Sequence, residues 1–197
     1  MRNALIWLGV VCIMALPLIA AGFSPQLAWR SGVYILAGFA GILAMSLLFL
    51  QPLLAGRLLP NITPLHSRFL HRITGIVLVT AILAHVVGLW FTSAPDVMDA
   101  LLFRSPTPFS AWGVVAMWAV FATTVLALSR RRLRLRTWRL AHGGLAIVIA
   151  VGSAVHAILI QGTMETLTKT ALCGFVLLAT VIVVGKLFAG LKTPKRG

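Results

Sequence analysis

Acidic residues are nearly missing from this chain: three among 197 residues, against seventeen Lys and Arg. All three, Asp96, Asp99 and Glu165, fall between the long apolar runs. No ladder of carboxylates therefore crosses an apolar phase to relay protons. Cysteine is scarce too. Cys12 and Cys173 lie far apart, each inside an apolar run and in no metal-ligand spacing. They read as small buried hydrophobes and exclude a zinc motif or a disulfide framework. There is no phosphate-binding glycine loop, no dinucleotide fingerprint and no Ser/His/Asp arrangement. Charged residues make up only 10% of the chain, where a soluble domain carries about 25%.

Hydrophobic residues fill the gap, at 60% of the sequence. They come in runs of about twenty, enough for a helix to cross a hydrocarbon layer of about 30 Å. Hydropathy predicts six spans, near Ala4–Ala21, Val33–Leu54, Phe69–Phe91, Ala111–Leu128, Leu140–Ile160 and Thr170–Leu191. The expected fold is all-α: a polytopic six-helix bundle forming a single transmembrane domain over residues 1–197. Arg2 before an apolar run ending in LIAAGFS resembles a secretory leader. The run exceeds the usual length for one, which favours a retained helix.

The net charge of +14 does not point to nucleic acid, because its distribution follows the spans. With the N-terminus in the cytoplasm, the inner side receives Arg2, Arg57, Arg68 and Arg72. It also receives six arginines of SRRRLRLRTWR, then Lys186, Lys192, Lys195 and Arg196. That is fourteen basic residues and no acid. The outer side receives Arg30, Arg104 and Lys169, balanced by the three acids. This asymmetry predicts N-in, C-in. The basic inner face suits anionic lipid and an acidic soluble electron donor.

Histidines stand out in such a sequence. LHRITGIVLVTAILAH on the third span carries His71 and His85. AHGGLAIVIAVGSAVH on the fifth carries His142 and His156 at the same separation. Fourteen helical steps cover about 21 Å and return to within about 40° of the same face. Two crossings separate these spans, so both run from inside to outside. His71 and His142 then share the inner depth, and His85 and His156 the outer depth. One buried histidine is ordinarily a satisfied core hydrogen bond. Four, at two equal spacings on co-directional helices, point to function. A b-type heme clamped between each pair accounts for spacing, depth and pairing together.

Thr74, Gly75, Leu78 and Ile82 share the first face; Leu145, Ala146, Ile149 and Ser153 share the second. Gly143, Gly144 and Gly152 lie beside them, either admitting a flat macrocycle or permitting close helix packing. Two histidines would fill both axial positions of each iron, which favours electron transfer over oxygen binding. Arg68, Arg72 and Arg139 sit near the inner pair and Arg104 in the outer loop. Each is either a partner for heme propionates or an interfacial anchor. His66, in PNITPLHSRFL, reads as a loop histidine on the inner surface. The outer stretch Phe91–Ser110 reads as a connector with a short interfacial helix, and offers a place for an acceptor to dock.

These residues resemble the ferric reductase-like transmembrane domain. That six-helix heme module is shared by ferric reductases, NADPH oxidases and the heme subunit of the bacterial periplasmic methionine-sulfoxide reductase system. The likeness is strongest in LHRITGIVLVTAILAH and RTWRLAHGGLAIVIAVGSAVH, which includes a basic loop and the W-x3-H stretch Trp138 to His142. The resemblance implies that His71 and His142 ligate an inner heme iron, and His85 and His156 an outer one. Arg72 and Arg139 would be cofactor-binding.

Family members with a flavin and nicotinamide domain feed their own hemes. This chain stops soon after its sixth span, so the expected donor is a separate flavoprotein or quinol. The expected function is a diheme b cytochrome in a bacterial inner membrane, the electron-transfer subunit of an oxidoreductase system. It would pass electrons to an outer acceptor such as a periplasmic redox protein. Alternatives are a quinol-reactive cytochrome b anchoring a larger enzyme, or a non-redox scaffold or transporter. The latter lacks the broken helices and intramembrane acids that drive transport.

Overall fold

The computed structural model describes residues 1–192, with side chains through residue 190. The basic positions Lys195 and Arg196 lie outside the described residues, as does the side chain of Lys192. The elements are α1 (Arg2–Gly22), α2 (Gly32–Ala55), α3 (Pro64–Thr92), α4 (Ala94–Leu101), α5 (Pro108–Leu128), α6 (Leu135–Leu159) and α7 (Thr166–Lys192). All but α4 are long and apolar enough to cross a membrane. Among the described residues there is no strand. The fold is an all-helical, multi-pass membrane bundle.

Helix starts follow local chemistry. Ser31 accepts the Tyr34 amide at 3.3 Å and caps α2. Thr63 accepts the His66 amide at 3.3 Å, with Pro64 opening α3, where proline loses no intrahelical bond. This cap corrects the reading of His66. It lies in the first helical turn, not a loop, with Nδ1 2.7 Å from Thr63 Oγ1. The connection before it bends at Arg57 and Asn61, both with positive φ. The helix α4 forms inside the connector between α3 and α5, with the Ser93 hydroxyl donating to Asp96.

Packing pairs α2 with α3 and α5 with α6, while α7 lies against α6 and α2 and α1 closes against α2 and α7. The helices α3 and α6 are not among the closely packed pairs. One core, including Met45, Phe49, Ala154, Leu172 and Val176, joins α1, α2, α6 and α7. A smaller one gathers Leu47, Leu78, Ala119, Val120 and Ile149 from α2, α3, α5 and α6. Leu78 and Ile149 stand midway between the two histidines of their own helices. An apolar layer thus divides the gap between α3 and α6 into two tiers. Outward faces carry exposed Leu, Val, Ile and Trp, as lipid contact requires.

Candidate functional site

The first tier holds His71 and His142, whose ring centroids lie 6.3 Å apart with planes at 63°. The second tier holds His85 and His156, which line one cavity of about 830 Å³ with Leu78, Ile82, Ile149 and Ser153. His71 and His142 thus approach each other directly, while His85 and His156 face a shared cavity.

Each histidine helix is backed by a partner that orients the rings. His85 donates its Nδ1–H to the Ala37 carbonyl of α2 at 2.8 Å. His156 donates to the Phe109 carbonyl of α5 at 2.9 Å. His71 reaches the Gln51 carbonyl of α2 at 3.3 Å. A carbonyl only accepts, so each bond fixes the Nδ1–H tautomer and leaves Nε2 with its lone pair. Among the described residues, no hydrogen bond reaches Nε2 of His71, His85 or His156. Metal-bound histidines characteristically donate their second ring nitrogen to a carbonyl or carboxylate.

Glycines make the second-tier bonds possible. A Cβ on Gly41 would fall 2.9 Å from His85 Nδ1, and one on Gly113 would fall 2.5 Å from His156 Nδ1. Each glycine lies four residues after the accepting carbonyl, one turn along the helix. The missing side chain opens a notch through which the imidazole reaches a carbonyl already engaged within its own helix. Fourteen residues along α2 and α5 are the equivalent positions Gln51 and Thr123, followed at the fourth residue by Ala55 and Ala127. There the bond lengthens at His71, and His142 Nδ1 is buried without a partner. His142 instead stacks on Trp138, centroids 4.9 Å apart and planes at 18°. Arg130 covers that indole at 5.2 Å.

The other expected residues are placed as follows. Gly143 and Gly152 are buried packing glycines: an added Cβ would strike Phe188 of α7 at 2.9 Å, or Ala116 and the Trp112 carbonyl of α5 at 3.1 Å. Neither stands under a histidine. Thr74 is engaged by the Gln51 side chain at 2.9 Å. Arg72 and Arg139 are exposed, and among the described residues neither forms an ion pair or side-chain hydrogen bond. Arg104 does not line the second-tier cavity; Lys169 does. The helix α7 starts earlier than hydropathy suggests, which carries Lys169 out of the loop and into the bundle.

The donor set defines what can bind. Among the described residues, no three His, Cys, Asp or Glu side chains gather around a point that could hold a bare ion. Two imidazoles per tier suit a metal whose other ligands come from a macrocycle. Two metal–nitrogen bonds of about 2 Å each, plus about 1 Å from each nitrogen to its ring centre, span about 6 Å. The first-tier centroids stand at that spacing. A family model described as the ferric reductase like transmembrane component matches residues 38–153, more than half of the chain. The chain belongs to this family. The matched segment runs from α2 into α6, contains His71, His85 and His142, and stops three residues before His156. Comparison with curated proteins and with solved structures gave no match. Domains of this family are typically heme-binding, and membership makes this chain a membrane electron-transfer component.

Proposed function

We propose that this ferric reductase-like chain is a diheme b cytochrome. His71 and His142 would ligate one iron, His85 and His156 the other, the chain forming one heme-binding domain. The observation that carries this reading is the Nδ1–carbonyl bonding of three histidines, which leaves each Nε2 with its lone pair and, among the described residues, without a hydrogen bond. When bound, each heme supplies a one-electron Fe(III)/Fe(II) couple.

The protein's part is placement. Backbone carbonyls hold the imidazoles in one tautomer, so ligation requires little ring reorganisation. With two histidines holding each iron, the hemes would supply electron transfer rather than oxygen activation. Leu78 and Ile149 exclude water between the tiers. The fourteen-residue spacing sets the tiers about 21 Å apart along the helices, most of the way across a hydrocarbon core of about 30 Å.

The charge asymmetry supports an orientation with the first tier at the cytoplasmic side of a bacterial inner membrane. Arg72 and Arg139 would serve heme propionates there. Electrons would enter from a separate flavoprotein or quinol and leave at the second tier to an outer acceptor, a periplasmic redox protein among the options.

Heme content of purified protein tests the proposal. Two hemes b per chain with low-spin spectra are expected. His71→Ala or His142→Ala should remove one heme, and His85→Ala or His156→Ala the other. Colourless protein from heme-replete cells would end the reading. Quinol analogues that shift a heme spectrum would favour quinol over a soluble donor.

A further inference from the structure

A second charged element lies inside the second-tier cavity. Lys169, in the first turn of α7, is 7% exposed and forms part of the cavity wall with His85 and His156. Its Nζ donates to the Ile160 carbonyl at 2.7 Å. Ile160 follows His156 by four residues, about 6 Å along the helix direction. An ammonium carries three donors, and the structure gives Lys169 one acceptor, an uncharged one. Among the described residues, no carboxylate lies within ion-pair distance of Nζ. Glu165, four residues earlier, turns its oxygens to the Leu167 and Thr168 amides at 2.7 Å each. Asp96 accepts from Ser93 at the cavity mouth, and Asp99 lines the same mouth without reaching the lysine. The other cation of this cavity, Arg30, is exposed and stacks on Tyr34 at 4.5 Å.

A buried cation with no anion within ion-pair distance is costly. Lys169 therefore signals that the cavity receives a negative group beside His156. We propose that Lys169 is a carboxylate anchor, pairing with a propionate of the heme held by His85 and His156. The inference rests on the diheme reading and adds to it a residue that sets retention and potential of one heme. The competing role is purely structural: the ammonium closes the C-terminal end of α6 through Ile160, where cations are favoured in any case.

Redox titration of the purified holoprotein separates the two. The second-tier couple is the one lost in His85→Ala. Removing a nearby positive charge disfavours the reduced, less positive iron, so Lys169→Met should lower that couple's potential. A tenfold change in its equilibrium constant corresponds to about 59 mV. Lys169→Arg should restore the potential, and the first-tier couple should not move in either variant. Heme dimethyl ester provides an arm independent of variant folding. It should bind the second tier of the wild-type apoprotein at least tenfold more weakly than heme does.

A Lys169→Met protein that keeps both hemes with an unchanged second-tier potential overturns the anchor and leaves the diheme reading standing. Equal binding of heme and its diester does the same. Wild-type protein whose heme is unaffected by His85→Ala overturns both.

Discussion

His85 and Ala37 sit 48 residues apart, yet the imidazole Nδ1 lies 2.8 Å from the Ala37 carbonyl oxygen. The same bond joins His156 to Phe109 at 2.9 Å, and in both cases a glycine follows the acceptor by four residues. The hairpins α2–α3 and α5–α6 thus use one device twice. A notched helix presents a carbonyl, and its neighbour presents a histidine whose remaining nitrogen carries no hydrogen bond among the described residues.

The notch makes the first prediction. Gly113→Ala places a methyl group 2.5 Å from His156 Nδ1, and Gly41→Ala places one 2.9 Å from His85 Nδ1. Neither imidazole can keep both its carbonyl and its orientation. Overpacking of this kind costs about 1–3 kcal/mol. Both variants should lose second-tier heme selectively, with Gly113→Ala the more severe. Heme per chain, read against the His85→Ala and His156→Ala spectra, checks this. Wild-type heme content in Gly113→Ala would show the notch to be dispensable.

Gln51 offers a different separation. Its side-chain amide donates to Thr74 Oγ1 at 2.9 Å, while its backbone carbonyl serves His71. Gln51→Ala removes the first and keeps the second. Loss of one neutral hydrogen bond is worth about 0.5–1.5 kcal/mol. A modest fall in the thermal midpoint is therefore expected with first-tier heme retained. Loss of that heme would mean the α2–α3 register depends on the Gln51–Thr74 bond.

Legibility in the sequence divided along physical lines. The six spans were readable because lipid demands uninterrupted apolar helix, and the structure moves their ends by only a few residues. The pairing of His71 with His142 followed from equal spacing and direction, properties of one helix at a time. What escaped was whatever depends on a neighbouring helix. Gly41 and Gly113 lie on helices without the histidines, and a carbonyl acceptor has no residue identity to read. Gly143 and Gly152 sat beside the histidines in sequence but pack against α7 and α5. Hydropathy leaves Lys169 just outside the sixth span, because such windows begin a span after its last charge. A helix instead begins at its cap, here the Glu165–Leu167–Thr168 bonds.

Trp138 tests the first tier. Its ring stacks on His142, and its indole nitrogen is buried without a hydrogen-bond partner. Phenylalanine keeps an aromatic face and removes the unpartnered donor. Trp138→Phe should therefore leave stability within about 0.5 kcal/mol of wild type, with first-tier heme retained. Trp138→Ala removes the stacking surface and opens His142 toward Arg130. It should lower first-tier heme occupancy and move that couple's potential. Equal behaviour of Phe and Ala at this position would show that the stack does not support His142.

Glu165 governs a pH effect at the opposite end. Its carboxylate accepts the Leu167 and Thr168 amides, and these bonds hold its pKa below the ordinary value. A folded-state pKa below the unfolded one means stability that is complete above the unfolded value and lost as pH falls through the folded one. Acidification through the carboxyl range should therefore loosen the start of α7, the turn that carries Lys169, whose amide donates to the Glu165 carbonyl at 3.0 Å. Glu165→Gln keeps an acceptor but cannot titrate. Its thermal midpoint should lie slightly below wild type at neutral pH and vary less with acid. Because the side chain is fully exposed, the effect should be small. An acid limb as steep in Glu165→Gln as in wild type would overturn the role of Glu165.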